Sequence, residues 1–170
     1  MKTILVALDG SELAEQAIPA VSSLASAARA DVVLAAVVVQ PDRWPSATMP
    51  EESMGDERDY AEFYLSSVAD RLRGNGVRSR VRIEEGRAAE TIVAIADDEA
   101  ADLIAMTTHG RSGFARWILG SVADRVLHLS RKPVLLVHAQ PDGQGKSAEF
   151  KRILVPLDGS ATAESVLPFV

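Results

Sequence analysis

Short, continuously apolar runs alternate along this chain with longer stretches in which apolar residues return every three or four positions. The runs at residues 3–8, 31–39, 77–84, 102–107 and 133–138 are rich in valine, isoleucine and leucine and read as strands. Most lack polar alternation, as expected of strands covered on both faces. The run at 77–84 is the exception: Arg78, Arg80 and Arg82 alternate with Val77, Val81 and Ile83, the pattern of a solvated sheet edge. Between the strands, Leu13, Ala14, Ala17, Ile18, Val21, Leu24, Ala25 and Ala28 share one helical face behind Ser11, a good N-cap. Pro19 interrupts this helix and predicts a bend. Further helices are expected at about 51–73, ended by Gly74-Asn75-Gly76, and at 88–98 and 121–130. This alternation predicts an α/β fold: an open, doubly wound, five-stranded parallel sheet with helices on both faces. Residues 40–50, with three prolines and Trp44, form a long irregular connection of the kind that serves as a lid or binding loop.

The chain also repeats itself. Thr3-Ile-Leu-Val-Ala-Leu-Asp-Gly-Ser11 aligns with Arg152-Ile-Leu-Val-Pro-Leu-Asp-Gly-Ser160, and eleven of the nineteen positions from 3–21 recur in 152–170, Pro19 and Pro168 among them. The expected organisation is a complete domain at 1–139, a polar flexible linker at 140–151, and the start of a second, incomplete copy at 152–170. Residues 152–157 are expected either to pair with an exposed edge of a neighbouring molecule or to remain mobile.

Composition narrows the function classes. The net charge of −6 opposes bulk binding to nucleic acid or anionic membranes, both of which need a positive field. The longest apolar run, residues 32–39, is far too short to cross a bilayer, and no signal peptide is visible. The absence of cysteine removes disulfides and thiol chemistry and fits a cytoplasmic location.

In open α/β sheets, ligands bind outside the carboxyl ends of the strands, where the connections diverge. The tips to inspect are Asp9-Gly10-Ser11, residues 37–40, and Met106-Thr-Thr-His-Gly110. Beyond the last, glycines at 110, 113 and 120 allow backbone N–H groups to approach a phosphate, and Ser121 adds a hydroxyl at a helix start, where the dipole favours an anion. Arg111 and Arg116 are placed to neutralise further phosphate charge. Plainer readings stand beside these. Ser121-Val-Ala-Asp124 is also a capping-box variant, and Asp9 is also a turn residue before the Ser11 cap. His109 has no partner at a catalytic spacing, and neither His128 nor His138 suggests a metal site.

Ile4-Leu-Val-Ala-Leu-Asp-Gly-Ser11, Gly120-Ser-Val-Ala-Asp-Arg-Val126 and Lys132-Pro-Val-Leu-Leu-Val137 together resemble the universal stress protein domain, over essentially all of residues 1–139 and again from 152, as in tandem members of that family. The resemblance implies an adenine-nucleotide alpha-hydrolase-like, Rossmann-like sheet of strand order 3-2-1-4-5. ATP-binding members carry Gly-x2-Gly-x9-Gly-Ser/Thr; here Gly110, Gly120 and Ser121 match, and Thr107 stands at the first glycine. The resemblance implies an ATP site in which Asp9 lies near the ribose and metal, Ala7 on the adenine side, and the Val37 backbone reads adenine. Met106 and Thr107 flank base and ribose, and Gly110, Gly120, Ser121, Val122 and Ala123 hold the phosphates, beside the Arg111 already placed there by its charge. Mg²⁺ or Mn²⁺ is carried through the phosphates, with no direct protein ligand set. It also implies a homodimer, or an intrachain pseudo-dimer, through the 133–138 strand.

With no nucleophile and base constellation, these features point to an ATP-binding regulatory protein of the stress response, hydrolysing nucleotide slowly if at all. The alternatives are a nucleotide-free interaction module of the same fold, a cyclic-AMP-binding member, and an adenylyl-transferring enzyme. The last lacks the expected Ser-Gly-Gly-type phosphate loop at the first strand. Because the second copy contains only Asp158-Gly159-Ser160 of this site, one complete nucleotide site is expected in residues 1–170.

Overall fold

A computed structural model describes residues 1–39, 52–108, 119–139, 150 and 152–167, with the backbone alone for 52–56. The expected loop at 40–50 and the linker at 140–151 therefore fall almost wholly outside the described residues. Five strands, β1 (Thr3–Ala7), β2 (Asp31–Val38), β3 (Ser79–Glu85), β4 (Leu103–Thr107) and β5 (Val134–Val137), form one sheet in the order β3-β2-β1-β4-β5. Every pairing is parallel, with Thr3 beside Asp31, Ile4 beside Leu103, and Ile104 beside Val134. The predicted fold class and the order 3-2-1-4-5 are those observed.

Strand pleating divides the apolar residues into two cores. On one face, Ile4, Val6, Val32, Leu34 and Ala105 pack against α1 (Glu12–Glu15), α2 (Ile18–Ala28) and α3 (Glu52–Gly74). On the other, Leu5, Val33, Ile104 and Met106 pack against α4 (Ala88–Asp98) and α5 (Ser121–Leu129). Ile4, Leu5, Val6, Val32, Val33 and Leu34 have no solvent exposure. Burial of such side chains contributes roughly 1.5–3 kcal/mol each before entropy is counted. The chain winds outward from β1 to β2 and β3, then returns through α4 to β4 on the other side of β1. That reversal opens a crevice at the carboxyl ends of β1 and β4.

The helix ends follow local chemistry. Three helices close with the same six-to-one backbone bond: Ala30 N to Ala25 O, Val77 N to Leu72 O, and Ala101 N to Ala96 O. The residues in the left-handed turn are Arg29 (φ 54°), Gly76 (φ 78°) and Ala100 (φ 47°). Engagement of Val77 in this turn delays β3 to Ser79, two residues beyond the start expected from hydrophobicity alone. Pro19 does not bend a continuous helix. The first helix stops at Glu15, and Pro19 sits in the first turn of α2, where no intrahelical N–H is required. Arg78, just before β3, pairs with Asp31, and Arg80 and Arg82 on β3 both reach Glu99, so the arginine alternation is a paired, solvated edge.

The second copy separates local from non-local structure. Residues 152–157 form no strand, and Leu154, the counterpart of the fully buried Leu5, is 91% exposed. Yet Ser160 caps α6 (Ala161–Glu164) through its Oγ as Ser11 caps α1. Among the described residues no helix is long and apolar enough to cross a membrane.

Candidate functional site

Asp9, Gly10 and Ser11 leave β1 in a tight turn. Gly10 has φ 82°, a left-handed value that side chains disfavour. Asp9 Oδ1 accepts from the Ser11 N–H at 3.0 Å and from Ser11 Oγ at 2.6 Å, while Ser11 Oγ accepts from the Ala14 N–H at 3.1 Å. Asp9 is thus the turn-forming residue of the plainer reading, and it also faces a cavity. The second copy repeats the turn, with Gly159 at φ 81° and Asp158 Oδ1 accepting from the Ser160 N–H at 2.9 Å. The hydrogen bonds from the Ser160 side chain and backbone hold the Asp158 carboxyl below the usual aspartate range.

At β4 the ladder runs past the strand, with Thr108 N–H donating to Val137 O at 3.0 Å. The connection to α5 is closed at its base by the Gly120 N–H, which donates to Thr108 O at 2.7 Å. Gly120, not Ser121, is the N-cap of α5, and no side chain caps this end. The capping-box reading therefore fails: Ser121 is already in the first helical position, which leaves its hydroxyl outside the cap. The N–H groups of Ser121, Val122 and Ala123 belong to a first turn without side-chain acceptors. An anion there gains about 0.3–1 kcal/mol from the dipole alone, up to ~2 kcal/mol where partly buried.

Among the described residues, these turns surround a cavity of about 690 Å³ across the ends of β2, β1 and β4, well inside the usual size of ligand pockets. Of the residues the sequence singled out, Ala7, Asp9, Val37, Met106, Thr107, Gly120, Ser121, Val122 and Ala123 all line it. Gly110 and Arg111 lie outside the described residues. Ala7, Ala14, Ala35 and Ala36 give the cavity its depth, because larger side chains at these strand ends would fill it. Met106 and Ile92, both 6% exposed, continue the apolar surface on the α4 side. Thr107 is buried at 6% exposure, within the wall rather than beside it. Among the described residues, no lysine or arginine lines the cavity, and no cluster of three or more histidine, cysteine, aspartate or glutamate residues suits a metal ion.

One wall was missed in the sequence. Glu57, Tyr60, Ala61 and Tyr64 on α3 face the cavity, as do Ala88 and Ile92 on α4. Tyr60, Ala61 and Tyr64 share a stripe with Leu65 and Val68 that reads as ordinary core. Only the placement of α3, whose N-terminal half overhangs the end of β2, turns part of that stripe toward a ligand. Burial, followed by the Glu15 carboxylate, pushes the Tyr64 phenol well above its ordinary pKa.

Residues 1–138 match the universal stress protein family. Universal stress protein MJ0531 of Methanocaldococcus jannaschii is 32% identical over 141 residues, covering 80% of this chain and 81% of that protein. A universal stress protein of Mycolicibacterium smegmatis is 28% identical over 170 residues, an alignment that takes in 95% of this chain and 55% of the relative. Among solved structures, hypothetical protein MJ0577 superposes with a TM-score of 0.71 at 30% identity, covering 82% of this chain and 96% of that one. A universal stress protein in complex with cAMP superposes with a TM-score of 0.61 at 26% identity, covering 82% and 98%. The likeness takes in all five strands and every described wall of the cavity, and on it the chain belongs to the universal stress protein family.

Proposed function

We propose that this chain binds an adenine nucleotide, ATP foremost, and acts through the conformation or assembly that the nucleotide stabilises. The observation that carries this reading is the polarity of the cavity: an alanine-floored apolar end beside β2, and an uncapped helix start with Ser121, Val122 and Ala123 at the other. A flat base suits the first and phosphates the second, with Asp9 between them at the end of β1. Occupation of a related protein by cAMP supports an adenine ligand. Since no cationic side chain lines the described cavity, phosphate charge falls to the α5 N–H groups, to a Mg²⁺ or Mn²⁺ ion carried by the phosphates, and to Gly110 and Arg111 on the connection.

We read the role as regulatory, in the stress response, with slow hydrolysis or none, and the chemistry of the lining supports the last part of that reading. Its polar groups orient and neutralise, and Asp9 is engaged with Ser11 rather than poised as a base. We read the protein as cytoplasmic and as associating through β5, an edge strand whose four residues are only half-buried. A cyclic-AMP preference is the second reading, favoured by the cAMP-bound relative. Equilibrium titration with ATP, ADP and cAMP, with and without Mg²⁺, tests both. Saturable ATP binding strengthened by Mg²⁺ is expected; tighter cAMP binding selects the second reading, and no saturation at millimolar nucleotide defeats both.

A further inference from the structure

The α3 wall holds one group that the site as described does not use. Tyr64 lines the cavity, its ring packs against the core beneath α1 and α2, and its hydroxyl is closed off from solvent without a hydrogen-bond partner. Native structures rarely leave a buried donor in that state without a compensating role. Two carboxylates lie near it, Glu15 and Asp9. Glu15 belongs to α1 and is drawn to α3 by Arg71, whose Nη2 lies 2.5 Å from Glu15 Oε2. Arg71 stands two turns along α3 from Tyr64, on the same face. The Glu15 carboxylate acts on the phenol without meeting hydrogen-bond geometry. Glu15 therefore already has its cation, whereas Asp9 faces the cavity where the ligand enters.

We infer that Tyr64 is a positioning residue that sets the sugar specificity of the site through Asp9: with nucleotide bound, its hydroxyl donates to the Asp9 carboxylate and holds it as acceptor for the ribose hydroxyls. This inference rests on the adenine-nucleotide reading above. It assigns a role to a residue of the α3 wall and explains why a phenol, rather than a phenyl ring, stands at this point of an apolar stripe.

The test compares ATP with 2′,3′-dideoxy-ATP on the full chain and on Tyr64→Phe, which keeps the ring and removes only the hydroxyl. The wild-type chain is expected to prefer ATP by about 10-fold, the scale of a hydrogen bond to a charged group. In Tyr64→Phe that preference falls to about 2-fold, with dideoxy-ATP bound nearly as before. In an Asp9→Asn background the Tyr64→Phe change has no further effect, since the coupling runs through Asp9. Equal weakening of both nucleotides shows a merely structural wall, and an unchanged preference shows no role; either overturns the inference. A wild-type chain that binds both nucleotides equally overturns it while leaving the nucleotide reading intact, whereas one that binds neither defeats both. Should Tyr64→Phe fail to fold, fluorotyrosine labelling gives the answer on the intact chain. Its two tyrosines give two ¹⁹F signals, assigned with Tyr60→Phe, and the Tyr64 signal is expected to shift with ATP and much less with dideoxy-ATP; equal shifts overturn the inference.

Discussion

Replacing Ser121 with proline separates anion binding from folding. Ser121 is the first residue of α5, the helix position that best accepts proline's fixed φ and missing N–H. Gly120, with φ −60° and ψ 147°, already has the extended backbone that a residue before proline prefers. No side chain or carbonyl among the described residues accepts a hydrogen bond from the Ser121 N–H. The substitution thus removes two donors at the cavity, an N–H and a hydroxyl, without breaking a bond to any of the described residues. Hydrogen bonds to charged groups contribute roughly 1.5–3 kcal/mol each. Taking the lower part of that range for an exposed helix start gives about 3–4 kcal/mol for the pair, an ATP affinity roughly 150-fold to 1,000-fold weaker. Stability should stay within ~0.5 kcal/mol of wild type. Calorimetric titration with Mg·ATP and thermal unfolding of the same sample measure both quantities. An unchanged affinity in a folded Ser121→Pro chain would refute the assignment of phosphates to this helix start. A large loss of stability would refute the reading of its backbone.

Other expectations concern the scaffold. Gly86 has φ 145°, and a Cβ there would lie 2.6 Å from Thr91 Oγ1; Gly86→Ala should therefore cost ~2–3 kcal/mol and lower the unfolding midpoint by about 5–10 °C. Conversely, Ala100 carries φ 47° at the end of α4, so Ala100→Gly should stabilise by ~0.5–1 kcal/mol in denaturant titration, the gain being limited by glycine's unfolded-state freedom. Asp102 accepts hydrogen bonds from the backbone of Lys2 and Thr3, which hold its carboxyl below the usual range. Because the folded pKa is lowered, its contribution, about 1 kcal/mol for so exposed a group, is complete above the ordinary aspartate pKa of about 3.9 and lost as pH falls through the folded value. The stability gap between wild type and Asp102→Asn should accordingly close at acid pH and persist at pH 7. Deletion of residues 145–170 should leave the five-stranded unit folded by circular dichroism and unfolding midpoint, since residues 152–157 add nothing to the sheet.

The repeated segment explains which features could be read from sequence. Asp-Gly-Ser makes the same turn and cap in both copies, although residues 158–160 are exposed and Asp9 is not. Its determinants lie within five residues, so the sequence alone suffices. Ile4-Leu-Val and Ile153-Leu-Val are identical, but only the first is a strand, because only it has β2 and β4 to pair with. Strand tips, glycine turns and the Ser121 helix start were legible for the same local reason. The α3 wall was not, because Tyr60 and Tyr64 have the spacing of core residues and acquire another role from where α3 crosses β2. Likewise the choice of Gly120 over Ser121 as cap depends on the bond from Gly120 N–H to Thr108 O, a contact across twelve positions that no short motif encodes.

The central claim, that an adenine nucleotide occupies the cavity across β2, β1 and β4, is tested most directly by following backbone amide resonances of the chain during titration with Mg·ATP. The shifts should saturate together and cluster at residues 7–10, 37–39, 106–108 and 119–123, with smaller changes along the cavity face of α3. Saturating ATP that leaves these amides unmoved, or moves only amides remote from the cavity, contradicts the account.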